Sequence, residues 1–138
     1  AQAIEMADLA TNRAGSASVK DLAARIRAAQ QPEIATMTGW LRDWGKKVPS
    51  MQNGASMDMG DGDMGMMSNA EMSDLRADQG SEFDTMFLEM MIRHHEGAVA
   101  MAETELNDGK FVQAKALAQT IIDAQEDEIT EMNQLLAR

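Results

Sequence analysis

A chain of 138 residues carrying 12 basic and 23 acidic side chains, formal charge −11, is long enough for one domain with a sizeable core. It lacks the basic surface that nucleic acid or an anionic membrane requires. Cysteine is absent, which excludes disulfides, thiolate metal sites and a cysteine nucleophile, and no apolar run reaches the roughly 18 residues of a membrane span. Fourteen methionines, against two tryptophans, three phenylalanines and no tyrosine, are the anomaly that needs a cause.

The chain opens in mid-pattern: Ile4, Ala7, Leu9 and Ala10 continue a helical stripe that should end near Asn12 to Gly15. Ser16 or Ser18 caps a second helix, with Val19, Leu22, Ala23, Ile26, Ala29, Ile34, Met37, Leu41 and Trp44 at three- and four-residue spacings, stopping before Pro49. Pro32 inside it removes an amide donor and predicts a kink. Residues 50–72 then change character, with seven methionines, four glycines, four acidic residues and no basic one, and no period runs through them. They read as a linker or binding loop. Ser73 caps a short turn of helix through Asp74 to Ala77, ended by Gly80. A third long helix starts at Ser81 with the stripe Phe83, Met86, Phe87, Met90, Met91, His94, Ala98, Met101 and Ala102. It closes at Asn107-Asp108-Gly109, and a fourth runs from about Phe111 to Ala137.

These helices are related by a repeat. At a constant offset of 95 residues, 14 of the 41 pairs from Ala1/Glu96 to Leu41/Leu136 are identical, among them Met6/Met101, Gln30/Gln125, Glu33/Glu128 and Met37/Met132. The expected fold is all-α: one domain over 1–138, a ferritin-like four-helix bundle of two repeated helix hairpins (units 1–48 and 81–138) joined by a long methionine-rich crossover, with the linker at 50–72. His94-His95 precedes the second unit, whereas the first begins at Ala1, just after the place for a matching pair. The expectation is half of a symmetric site, completed by residues before Ala1.

Helical spacing puts Met90, His94 and Met101 along one side of the third helix, with Met91, His95 and Ala98 on the adjacent line. Imidazole nitrogen together with thioether sulfur suits copper, thioethers favouring the cuprous ion. Met57, Met59, Met64, Met66 and Met67 of the loop form a second candidate set, since glycine and aspartate spacing lets flexible thioethers converge on a soft ion. Methionine on an apolar stripe is ordinarily core filler, His94 alone would pass as a core histidine, and two adjacent histidines do not chelate one ion from a helix. The Glu-x-x-His of di-iron bundles is missing, because Met91 and Ile92 stand three before the histidines. HExxH, EF-hand and phosphate-loop patterns are missing too. Gln30/Glu33 and Gln125/Glu128 read as hydrogen-bonding pairs that bridge helices.

Phe83 through Ala102, with Met90-Met91-Ile92-Arg93-His94-His95-Glu96-Gly97 at its centre, followed by Leu117-Ala118 and Gln125-x-x-Glu128-Ile129-x-x-Met132, resembles the bacterial domain of unknown function 305 (DUF305) over nearly the whole chain. The resemblance implies a ferritin-like helical protein, periplasmic or secreted, that binds copper, with His94, His95 and Met101 as carried-over site residues and Met90 and Met91 beside them. The expected function is extracytoplasmic binding or sequestration of a metal, copper foremost, without catalytic turnover. The alternative is a structural or protein-interaction bundle with no physiological metal. The expected partner is the metal ion, with a homodimer or a metal-delivery protein as further candidates, and neither nucleic acid nor membrane insertion.

Overall fold

The computed structural model describes residues 1–46 and 65–138, which form five helices. These are α1 (Gln2–Arg13), α2 (Ala17–Asp43), α3 (Asn69–Ala77), α4 (Gly80–Asp108) and α5 (Val112–Leu136). The expected ferritin-like four-helix bundle is therefore corrected: α3 is a helix in its own right. Its cause is local. Ser68 accepts from the Glu71 amide while the Glu71 carboxylate accepts from the Ser68 amide, a reciprocal cap that starts the helix five residues ahead of Ser73. Met72 and Leu75, three apart, then bury the same face in the core.

Each long helix follows from its stripe and its ends. Ser16 caps α2 by accepting from the Val19 amide, and α2 runs unbroken through Pro32 to Asp43. α1 packs along α2, α4 along α5, and α1 also along α4. A parallel bridge joins Ala14 to Gly80, while at its other end α1 begins close enough to His94 for the Ala1 amino group to act on the imidazole's charge. α1 thus lies antiparallel to the first half of α4 and leaves the second half without it.

That arrangement divides the interior in two. Beside α1 lies the larger core, with Met6, Leu22, Ile26, Leu75, Phe83, Phe87, Met91 and Met132 fully buried and the Phe83 and Phe87 rings stacked at 5.7 Å. Beyond His95 the described residues form a small cluster, Ala102, Ala118 and Ile122 with Val99, Leu106 and Ile121 against it. Phe111 packs edge-on to Trp40 and Trp44 at 5.3 and 5.1 Å, joining the end of α2 to the start of α5. The repeat is split by this difference: Met6 and Met132 are fully buried, but their counterparts Met101 and Met37 are 45% and 39% exposed.

The α1–α2 turn is held from α4. Asp84 accepts from the backbone amides of Gly15 and Ser16 at 2.9 and 2.8 Å, and a Cβ on Gly15 would stand 2.8 Å from the Gly80 carbonyl carbon. Both amides lose their acceptor in Asp84→Ala. Urea denaturation should show a stability loss of about 1–2 kcal/mol, smaller for Asp84→Asn, which keeps one acceptor.

Candidate functional site

Between the two cores lies a polar layer. His95 is fully buried on α4, Gln30 on α2 and Gln125 on α5 are buried, and Glu128, one turn beyond Gln125, reaches His95. His95 Nε2 stands 2.6 Å from Glu128 Oε2. A carboxylate can only accept, so Nε2 donates in that bond, which leaves Nδ1 as the ring nitrogen open to another partner. Nδ1 is buried and has no hydrogen-bond partner among the described residues. A carboxylate that fixes one imidazole nitrogen and leaves the other free is the arrangement by which proteins orient a metal-binding histidine.

Glu33, the repeat partner of Glu128, faces the same layer. Its carboxyl is raised above the ordinary carboxylate range, first by burial and then by the Glu128 charge, against an opposing effect from His95. Gln30 Nε2 and Gln125 Oε1 are buried without partners among the described residues. The Gln-x-x-Glu pairs recognised in both sequence repeats therefore converge on one layer. Spacing gave their equivalence, but not that His95 would meet Glu128, because that contact spans 33 residues.

His94 lies one position away, its ring centroid 6.4 Å from that of His95 and the planes at 62°. Its Nδ1 is also buried and, among the described residues, unpartnered. Burial, reinforced by the His95 charge and the Ala1 amino group, lowers its pKa to about 4. The ring is therefore uncharged in the folded protein at pH values where an ordinary histidine, near 6.5, is already protonated. Between those values the unfolded chain binds the extra proton, so this group's contribution to stability is complete above about pH 6.5 and is lost as the pH falls toward 4. The loss should be on the order of 2 kcal/mol, allowing for partial exposure. Glu33 acts in the opposite sense, opposing folding as it ionises with rising pH. Melting curves between pH 4 and 7 should show a declining acid limb in the native protein and a flatter one in His94→Gln.

The end of the methionine-rich segment docks at the same turn of α4. Gly65, at φ +75°, lies so close that a Cβ would overlap the Arg93 carbonyl oxygen and approach the Gly97 Cα to 3.1 Å. Only glycine fits this backbone and this contact. The Gln2 side chain then pairs with Met67 as a strand would, its Nε2 donating to the Met67 carbonyl at 2.9 Å and its Oε1 accepting from the Met67 amide at 2.8 Å. Arg93 donates from Nη2 to the Met67 sulfur at 2.8 Å and pairs with Glu71 through the same nitrogen.

Of the thioethers singled out in the sequence, Met67 is buried in the core cluster and Met66 beside it is 54% exposed. Met91 is fully buried among apolar neighbours, and Met90, 7% exposed, borders a cavity. Met101 sits on the exposed part of α4 beyond α1, two turns from His94. Met57, Met59 and Met64 fall outside the described residues. Among the described residues no three His, Cys, Asp or Glu side chains cluster as a metal site. Sequence reasoning overlooked Gln2, Arg93 and Glu71, which are ordinary surface types until the fold brings 65–71 onto α4.

The family model described as Domain of unknown function (DUF305) matches residues 1–136. A DUF305 protein from Streptomyces coelicolor, assigned as secreted, has 32% identity and a TM-score of 0.84, the alignment covering 99% of this chain and 82% of that one. CopM in its Cu(I)-bound form shares 30% identity at a TM-score of 0.78, covering 97% and 84% of the two chains. CopM in its Cu(II)-bound form shares 33% at a TM-score of 0.80, covering 98% and 86%. No curated protein matches the chain.

Proposed function

Because the chain belongs to the DUF305 family, we propose that it is an extracytoplasmic copper-binding protein that sequesters the ion or hands it on, without catalytic turnover. The observation that carries this reading is the pair of imidazoles whose Nδ1 atoms are buried and, among the described residues, unpartnered, one ring backed by Glu128, beside the turn where Met67 docks. The donor set fits the metal. Neutral imidazole suits copper in either oxidation state, thioether favours Cu(I), and CopM is a similar protein whose Cu(I)- and Cu(II)-bound forms are known. The Met67 sulfur already accepts from a cationic group, so its lone pair faces positive charge.

His94 and His95 would supply nitrogen, and Met67 and the exposed Met66 sulfur. Met57, Met59 and Met64 would extend the capture surface through the sequence preceding Gly65. Met90 and Met91 would steady the histidine turn from below, and Met101 would serve as an outer thioether on the same helix. An extracytoplasmic setting is supported by the secreted relative. A metal-delivery protein would be the natural partner.

Titration of the full chain with Cu(I) and Cu(II) against chelators of known affinity tests the reading. Saturable binding, with a melting temperature that rises with metal concentration, is expected. Unchanged melting and no competition with the chelators would favour the interaction-bundle alternative.

A further inference from the structure

A cavity of about 220 Å³ opens between α3 and α4, lined by Glu71, Asp74, Met86, Glu89, Met90 and Arg93. Met86 and Met90 are four apart on α4 and so share a face, and Glu89 and Arg93 form the neighbouring line, also four apart. The carboxylates do not converge as hard-metal ligands. The lining therefore combines thioethers, which bind soft ions, with negative charge, which attracts any cation.

One cation is already there. The Arg93 guanidinium borders the cavity, touches the Met67 sulfur and pairs with Glu71 through a single terminal nitrogen, while its Nε is buried without a partner among the described residues. The planar fork of an arginine can meet a carboxylate with two parallel bonds. Arg93 instead spends one nitrogen on both a sulfur and a carboxylate. Its positive charge borders the same cavity as Met86 and Met90 and opposes the entry of another cation.

We infer that the cavity between α3 and α4 is a thioether subsite for a soft monovalent metal cation, bound by Met86 and Met90, and that the Arg93 guanidinium is its resident competitor. Metal enters when Arg93 releases Met67 and Glu71 and swings toward solvent, which its partial exposure permits. The subsite is distinct from the His94–His95 turn but adjoins it, since Arg93 directly precedes His94. The inference rests on the proposed function only for the biological identity of the ion. The chemistry applies equally to Ag(I), which is redox-inert.

The test is Ag(I) titration of the full chain, followed by the methyl resonances of carbon-13-labelled methionine. Met86 and Met90 signals should shift on binding. Arg93→Gln should tighten binding at this subsite about ten-fold or more, because a like charge bordering the same cavity is removed. Arg93→Lys, which keeps the charge, should not. Met86→Leu with Met90→Leu, near-isosteric changes that a core tolerates, should abolish the gain. His94→Ala should leave the gain intact, which separates this inference from the histidine site. Weaker or unchanged Ag(I) binding in Arg93→Gln, or Met86 and Met90 signals that stay still at saturation, would overturn it.

Discussion

Replacing His94 and His95 together with alanine should weaken copper binding by more than about 100-fold, exceeding the 10- to 100-fold expected when only the supporting carboxylate is changed in Glu128→Gln. The order of the two effects carries the argument. Glu128 never meets the metal in this account. It holds Nε2 of His95 at 2.6 Å and thereby keeps Nδ1 free, so its loss should misorient a ligand without deleting one. Chelator competition measures both variants, and thermal melts taken in parallel show whether each remains folded. His95 is fully buried, so its replacement also opens a void, and Glu128→Gln is the cleaner probe because glutamine preserves volume while removing the charge that holds the Nε2 proton. Equal affinity in the native protein and the double variant would remove the histidines from the site.

The second large effect concerns the divided interior. Phe87→Ala, in the core beside α1, should lower stability by about 3–5 kcal/mol, a large share of the 5–15 kcal/mol typical of a domain. Met101→Ala, on the part of α4 that α1 does not cover, should change it by less than about 0.5 kcal/mol. Urea unfolding followed by circular dichroism measures both. A Met101→Ala loss comparable to that of Phe87→Ala would mean that the second half of α4 is covered after all. The same comparison separates structure from chemistry, because Met101 can then be tested for metal affinity without concern for the fold.

Much of this was legible in the sequence, and the exceptions have physical causes. Stripe periodicity placed the four long helices within a few residues of their observed ends, because Val19, Leu22, Ile26, Phe83, Phe87 and Met91 serve one buried face each. It misjudged Met37 and Met101, which stand on those stripes yet lie exposed, because a stripe shows which face is apolar but not how far a neighbouring helix extends. α1 is 12 residues long and α4 is 29, and only the packing shows which half of α4 it covers. The short helix expected from Ser73 to Ala77 starts earlier than its stripe suggests, and its true start had a signal, Ser68-x-x-Glu71 ahead of Met72 and Leu75. The surrounding methionines and glycines obscured it by suggesting a structureless segment that continued through residue 72.

The candidate site divides in the same way. The histidine pair and the thioethers were visible as residue types. Their environment was not, since the pairing of His95 with Glu128, the docking of Met67 on Gln2 and the contact of Arg93 with Met67 join residues 33, 65 and 26 positions apart. The Gln-x-x-Glu repeat was the nearest the sequence came to the polar layer, marking both halves of it without showing that they meet around His95.

Anomalous diffraction at the copper edge from crystals of the copper-loaded chain tests the central claim most directly. The account predicts a copper peak at the turn of α4 that carries His94 and His95, within bonding distance of an imidazole nitrogen and on the side where Gly65 to Met67 dock. Copper found only in surface grooves of carboxylates, such as the one lined by Glu96, Glu103 and Glu126, with both imidazoles unligated, would contradict it.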